Sequence, residues 1–391
     1  MLNRLLLAGL AVTPFILAPG NEDVARGPKM AWALVFALAI GLTALYKGTL
    51  KPFKNVWALL LVGFCLLSFY LSPNPKLLFF GVPSGRFWSW EPLYQGIVFL
   101  LFVVSVASLR INRSSINTIL RTMGWCGAIM AGFVLLQAAH MDQFFEHRFE
   151  RYGEVAGTLG NPTLVGPYLC LVLPIFLYKK EIFLAGLITA AIVVTRSDVA
   201  LVGLLATLGA YIALKNKRCF ITTLSFGIVG ILVIGAAYLT QPDFRRVCPD
   251  NERFLTWRQS AEDLTTPVMQ DSKKIYAITG IGPGSFKYLF HAKHNTKNDN
   301  FLYAHNEYVN VTYELGVVGL LLFLGTIVFI FRQAASMKQI MSGELSGIRR
   351  ALISGLIGIL VCSGGVFVLQ VGTHIFYTLT IVGLLCNDLL V

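Results

Sequence analysis

The chain has 391 residues, of which 55% are apolar and only 13% charged, with a mean hydropathy of +0.68. A water-soluble protein of this length needs a more polar surface, so lipid must cover much of this one. The formal charge of +12 does not point to nucleic acid, because the basic residues stand singly between apolar runs and form no phosphate-tracking stripe.

A membrane helix needs about 20 mainly apolar residues. Candidate spans follow one another at 5–20, 30–46, 55–72, 93–109, 117–139, 157–178, 182–195, 199–214, 219–239, 311–331, 351–371 and 374–390. The first, after Arg4, lacks a small-x-small cleavage site and is followed by further spans, so it reads as a retained helix and not a signal peptide. The sequence therefore predicts an all-α polytopic membrane protein of about twelve transmembrane helices with one long hydrophilic loop. It divides into a bundle over 1–239, a loop over 240–310 and a C-terminal group of spans over 311–391. Within the loop, Glu252 to Leu264 reads as an amphipathic helix, and loops this long are usually functional.

Orientation follows from Lys and Arg in the connections. With the N-terminus inside, the cytoplasmic loops hold sixteen such residues, Arg349 and Arg350 among them, against seven in the opposite short loops. Both termini are then cytoplasmic, and the long loop and all six histidines face outward. Six of the seven cysteines lie in apolar runs, and no CxxC or zinc spacing occurs, so they read as small apolar fillers.

Four stretches carry potential chemistry. In Gly157-Thr-Leu-Gly-Asn161-Pro-Thr-Leu-Val-Gly-Pro167, Asn161 suits a helix cap and Pro162 a first turn. Two readings stand there: a helix N-terminus aimed at an anion, or a kinked, tightly packed span. In Thr195-Arg196-Ser197-Asp198, Arg196 either pairs with Asp198 or headgroups, or is held at the outer mouth for a phosphate. In Arg253-Phe-Leu-Thr-Trp257-Arg258, a helix puts Arg253 and Trp257 on one face, with Arg258 beside them, and guanidinium groups match phosphate oxygens. The glycine-rich Gly280-Ile-Gly282-Pro-Gly284-Ser-Phe286 that follows is either an N–H nest for an anion or simply a turn. In His305-Asn306-Glu307-Tyr308, the histidine can serve as a neutral base near pH 7, with Asn306 or Glu307 orienting its ring, or can be an interfacial histidine bonded to backbone. A metal site assembled from His291, His294 and His305, or from His140, Asp142, Glu146 and His147, falls on no convincing helix, so no metal and no cofactor is assigned.

Taken in order, these stretches resemble the O-antigen ligase and polymerase superfamily of membrane glycosyltransferases, with a fainter match at Phe80-Gly81 and Arg86. The resemblance runs from about residue 80 to 330 and implies a GT-C-like fold in a bacterial inner membrane, with a large periplasmic loop. It implies an undecaprenyl-diphosphate-linked glycan as donor and metal-free, inverting transfer onto a sugar of the lipid A core. By that resemblance His305 is the base, Arg253, Arg258 and Arg196 hold the diphosphate, and Asn161, Asn306, Glu307, Gly282 and Gly284 support them. One departure stands out: the arginine that usually follows the serine of Thr-x-Ser is Asp198 here, so Arg196 would have to replace it. A polymerase extending lipid-linked repeats, a protein-glycosylating relative, and a lipid-linked sugar flippase or small-anion transporter are the competing readings.

Overall fold

The computed structural model describes residues 1–17, 26–51, 55–72, 92–141, 155–215, 251–265, 276–290, 294, 303–336 and 343–387. Twelve helices of two turns or more occur among them: α1 (Leu2–Val12), α2 (Arg26–Tyr46), α3 (Val56–Leu71), α4 (Pro92–Ala107), α5 (Arg113–Ala138), α6 (Pro162–Lys179), α7 (Ile182–Val194), α8 (Asp198–Ala213), α9 (Asn251–Thr265), α10 (Glu307–Ser336), α11 (Glu344–Cys362) and α12 (Gly372–Leu385). No strand occurs among the described residues. Five helical stretches are long and apolar enough to cross a membrane, namely Gly27–Tyr46, Arg113–Ala138, Pro162–Lys179, Glu307–Ala334 and Glu344–Cys362. The other apolar helices are shorter. The predicted span 219–239, the Phe80-Gly81 and Arg86 match, and His291 lie outside the described residues.

Helix α6 is the axis of the bundle. Its residues from Leu164 to Phe176 are all buried, the pattern of a helix apolar on every side and surrounded by others. It packs on α5, α7, α8 and α11. Contact with α11 is at backbone distance, because any Cβ on Gly355 would overlap the Leu171 carbonyl. Small residues allow this closeness where lipid leaves no hydrophobic drive between helices. Helix α10, paired with α3, lies at the rim and exposes Val317, Leu321 and Val328.

The helices alternate in direction between two ends of different chemistry. At one end Thr373 donates to the Thr13 carbonyl (3.3 Å), Thr158 to that of Pro14 (2.7 Å), Tyr308 to that of Leu360 (2.8 Å), and Cys362 to that of Val199 (3.5 Å). At the other end Asn387 donates to the carbonyls of Ala107 and Leu109 (both 2.9 Å), Tyr178 to Glu344 (3.1 Å) and Lys179 to Asn117 (2.9 Å). Helix α1 starts and α12 finishes at this second, basic end.

Several boundaries differ from the sequence expectation. The last long span is not 351–371: α11 begins at Glu344 and stops at Cys362, and 363–371 is irregular with one 3-10 turn at Val368–Gln370. Arg349 and Arg350 accordingly lie inside α11 and not in a loop. Helix α1 stops at Val12, short of residue 20, and α6 starts at Pro162 after a turn over 157–160. Lys29, expected in a short loop, is inside α2 and fully buried, with its ammonium on the Ile16 carbonyl.

Candidate functional site

The turn 363–371 is where the predicted site residues meet. It leaves α11 through Ser363-Gly-Gly365, whose missing side chains let it lie against α8: a Cβ on Gly365 would touch Val199. Arg253, on the loop helix α9, reaches down and donates from Nη1 to the Gly365 carbonyl at 3.2 Å. One helical turn on, Trp257 donates from Nε1 to the Ala304 carbonyl at 2.7 Å, fixing α9 to the segment that presents His305. The shared face of Arg253 and Trp257 read from the sequence is thus the face that docks.

His305 stands edge-on to Phe367, with ring centroids 4.9 Å apart and planes at 79°. Tyr303 packs on the same phenyl ring at 4.9 Å. The histidine is partly exposed and its backbone has φ 51°, in the left-handed region. Arg253 and His305 come from different segments, yet both lie on residues two apart in one turn.

Asn306 and Glu307 both bind backbone groups. Asn306 Oδ1 caps α10, accepting from the N–H groups of Tyr308 (3.0 Å) and Val309 (3.2 Å). Glu307 is 1% exposed; its carboxylate accepts from the Leu369 N–H at 2.7 Å and its own N–H donates to the Ser363 carbonyl at 2.8 Å. It therefore clamps both ends of the turn to the start of α10. Both side chains thus have a structural role at the start of α10. Sequence reasoning missed the turn itself and Glu307's hold on it, and the Ser363-Gly-Gly365 doublet was the available signal.

Arg196 occupies the α7–α8 turn beside these residues. It is exposed and has φ 52°, while Ser197 caps α8 by accepting from the Ala200 N–H at 3.3 Å. The backbone at Arg196 is thus irregular and belongs to neither helix. Arg258 behaves differently. It turns to the exposed face of α9 and pairs with Glu262 at 2.8 Å, a carboxylate contact that raises its already high pKa. The structure does not bring Arg258 onto the Arg253–His305 turn.

Asn161 caps α6, its Oδ1 accepting from the Thr163 N–H at 2.8 Å and hydroxyl at 2.7 Å. One turn along, the Leu164 carbonyl accepts from His374 Nε2 at 2.7 Å, so the start of α6 abuts the start of α12 just after the 363–371 turn.

Four N–H groups of the glycine-rich turn are engaged within the protein and not offered to an anion: Gly280 donates to Tyr276 (2.8 Å), Ile281 to Tyr313 (3.0 Å), Gly282 to Glu314 (2.9 Å) and Ser285 to Gly282 (3.0 Å). The acceptors at 313 and 314 exist because α10 breaks at Gly316 (φ 66°, ψ −172°), which releases carbonyls that would otherwise bond within the helix. Ile281 and Gly282 thus lock the loop to α10, and Gly284 supplies a positive-φ residue (81°) in the same turn. Below them, Asp263, 1% exposed, binds His294 Nε2 at 3.0 Å and accepts from the Tyr313 hydroxyl at 3.3 Å. His294 is committed to that carboxylate, and no cluster of three potential metal ligands occurs among the described residues.

No protein-family model matches this chain, and no curated protein matches it. What the fold and the site define is a helical membrane protein with a histidine and an arginine gathered on one turn at the end opposite its lysine-rich face.

Proposed function

We propose that the chain is a glycosyltransferase of a bacterial inner membrane, with about twelve spans, a periplasmic loop over 240–310 and both termini in the cytoplasm. It moves a glycan from an undecaprenyl-diphosphate donor onto a hydroxyl acceptor, foremost a sugar of the lipid A core. The observation that carries this reading is the meeting of Arg253 and His305 on the turn 363–371.

The chemistry follows from those groups. A neutral His305 ring nitrogen takes the proton of the acceptor hydroxyl, and the oxygen attacks the anomeric carbon opposite the diphosphate. The carbon–oxygen bond to phosphorus breaks, the electron pair leaves with the diphosphate, and the anomeric centre inverts. Arg253 offers its guanidinium to the charge that gathers on the leaving group. One of its partners is the neutral Gly365 carbonyl, and a diphosphate oxygen makes a stronger, charge-assisted bond than a carbonyl does. Arg196, on the neighbouring turn, is the second cation available. No metal is assigned to the reaction.

Purified protein supplied with lipid-linked donor and lipid A core tests this. His305→Ala should lower transfer by roughly 10²–10⁴-fold, the span of a lost general base, while inserting and purifying normally. Arg253→Ala should lower it by about 10²–10³-fold, as removal of a charge-stabilising donor does, with the loss greater in donor dependence than in acceptor dependence. Undiminished transfer by His305→Ala sinks the base assignment. Donor alone separates the two nearest readings: a ladder of products marks a polymerase, and transfer only when core is present marks a ligase.

A further inference from the structure

The basic end holds two arginines that the proposed reaction does not use. Arg349 and Arg350 lie on α11 beyond its first turn, about 7 to 9 Å along the axis from Glu344 at 1.5 Å per residue. Arg349 is only 9% exposed, and its Nη1 is buried with no hydrogen-bond partner. Arg350 lies over the Tyr211 ring of α8, its Cζ 5.5 Å from the centroid, and also engages that side chain by a hydrogen bond, while its Nε is buried with no partner. The carboxylate nearest along α11, Glu344, is at the rim and is engaged by Asn117 (3.2 Å) and Tyr178 (3.1 Å). Among the described residues, neither arginine has a salt bridge to a carboxylate.

A buried guanidinium donor without an acceptor carries its full desolvation cost, so the arrangement calls for an anionic oxygen acceptor from outside the chain. The surroundings say where it comes from. On α8, Leu205 and Ile212, either side of Tyr211 in sequence, are 70% and 53% exposed, an apolar surface that in a membrane faces acyl chains. With α11 crossing a membrane, residues one to two turns from its start lie near the headgroup boundary at this end. Paired N–H groups of a guanidinium match two oxygens of a phosphate.

We propose that Arg349 and Arg350 bind the phosphate of an anionic phospholipid headgroup, seated over Tyr211 between α8 and α11. The site is separate from the His305 turn and does not depend on the glycosyl-transfer reading.

The test uses the full chain in dodecyl maltoside, a detergent without phosphate, and follows the thermal unfolding midpoint. Added phosphatidylglycerol should raise the midpoint by several degrees. Diacylglycerol with the same chains, or inorganic phosphate at equal concentration, should leave it nearly unchanged. Arg349→Gln and Arg350→Gln should each cut the lipid-induced rise to half or less, and Lys180→Gln, an exposed cation at the same end, should keep it whole. Should Arg349→Gln fail to purify, Arg350→Gln carries the test by the same criterion. A full rise in the arginine variants overturns the site. An equal rise with diacylglycerol overturns the headgroup contact, and one with inorganic phosphate overturns the lipid as its source.

Discussion

Four non-glycine residues among those described have positive φ: His140, Lys180, Arg196 and His305. The first three directly follow helices, where a left-handed residue commonly ends the coil and satisfies a last carbonyl. His305 instead precedes α10, so no helix end explains its conformation. A left-handed side-chain-bearing residue costs about 1–2 kcal/mol, and such strain persists where the surroundings over-determine it, often at functional sites. Here the surroundings are Trp257 on the Ala304 carbonyl, the Asn306 cap and the Phe367 ring. This separates strain from chemistry experimentally. His305→Gly relieves the φ penalty but adds chain entropy to the unfolded state, so stability should stay within about 1 kcal/mol of the natural chain. Transfer should nevertheless fall as far as in His305→Ala. A glycine variant that retains activity would mean that the backbone turn, and not the imidazole, is what the reaction needs.

The loop is held to the membrane bundle by a reciprocal glycine contact between the Gly280 turn and the break in α10. A Cβ on Gly280 would overlap the Glu314 carbonyl, and one on Gly316 would overlap that of Ile278. Ser68 of α3 adds a hydrogen bond to the Thr279 carbonyl at 2.8 Å. Gly316→Ala must accept both a left-handed alanine and backbone overlap, for a combined cost of more than about 2 kcal/mol. A lowered unfolding midpoint together with weakened transfer is the expected result, although the close approach at Gly316 is to the backbone of Ile278 and Gly280 and not to Arg253 or His305. Glu307 gives a companion prediction. Glu307→Gln keeps a carbonyl oxygen for the Leu369 N–H and should be mild, whereas Glu307→Ala leaves that N–H without its partner, at about 1–3 kcal/mol if the group stays buried, and should release the turn. These elements also show what a sequence can and cannot display. The cap at Asn161, the helix at 251–265 and its docking face were legible, because capping chemistry and i,i+4 spacing are local. The turn 363–371 was not. Val366-Phe-Val-Leu369 is as apolar as a span, and its irregular backbone is set by distant partners, Arg253 and Glu307. The glycine-rich turn misled for the same reason. Its N–H groups were visible in the sequence, but the carbonyls that take those of Ile281 and Gly282 come from a break about 30 residues further on.

At the scale of the molecule, the functional reading requires that the His305 turn and the basic end open to opposite sides of the membrane. Two exposed cations mark the two ends. Arg196 lies in the α7–α8 turn next to the 363–371 turn, and Lys180 lies in the α6–α7 turn near Glu344 and Lys179. Helix α7 alone, Ile182–Val194, separates them. Its 13 residues span only about 20 Å at 1.5 Å per residue, less than the roughly 30 Å hydrocarbon core. Crossing with so short a helix requires the flanking turns to enter the interface, where Arg196 and Lys180 can reach the headgroups along their own stems. In the proposed topology Lys180 is on the cytoplasmic side, the side on which cations are retained. The prediction is that, in a chain with its seven native cysteines replaced, an impermeant maleimide added to intact spheroplasts labels Arg196→Cys and not Lys180→Cys. Inside-out vesicles should reverse the pattern. Labelling of both from one side would mean that α7 does not cross, and the two ends would then share a compartment. Under that result His305 would have no lipid-linked donor delivered from across the membrane, and the glycosyl-transfer reading would fall with the topology.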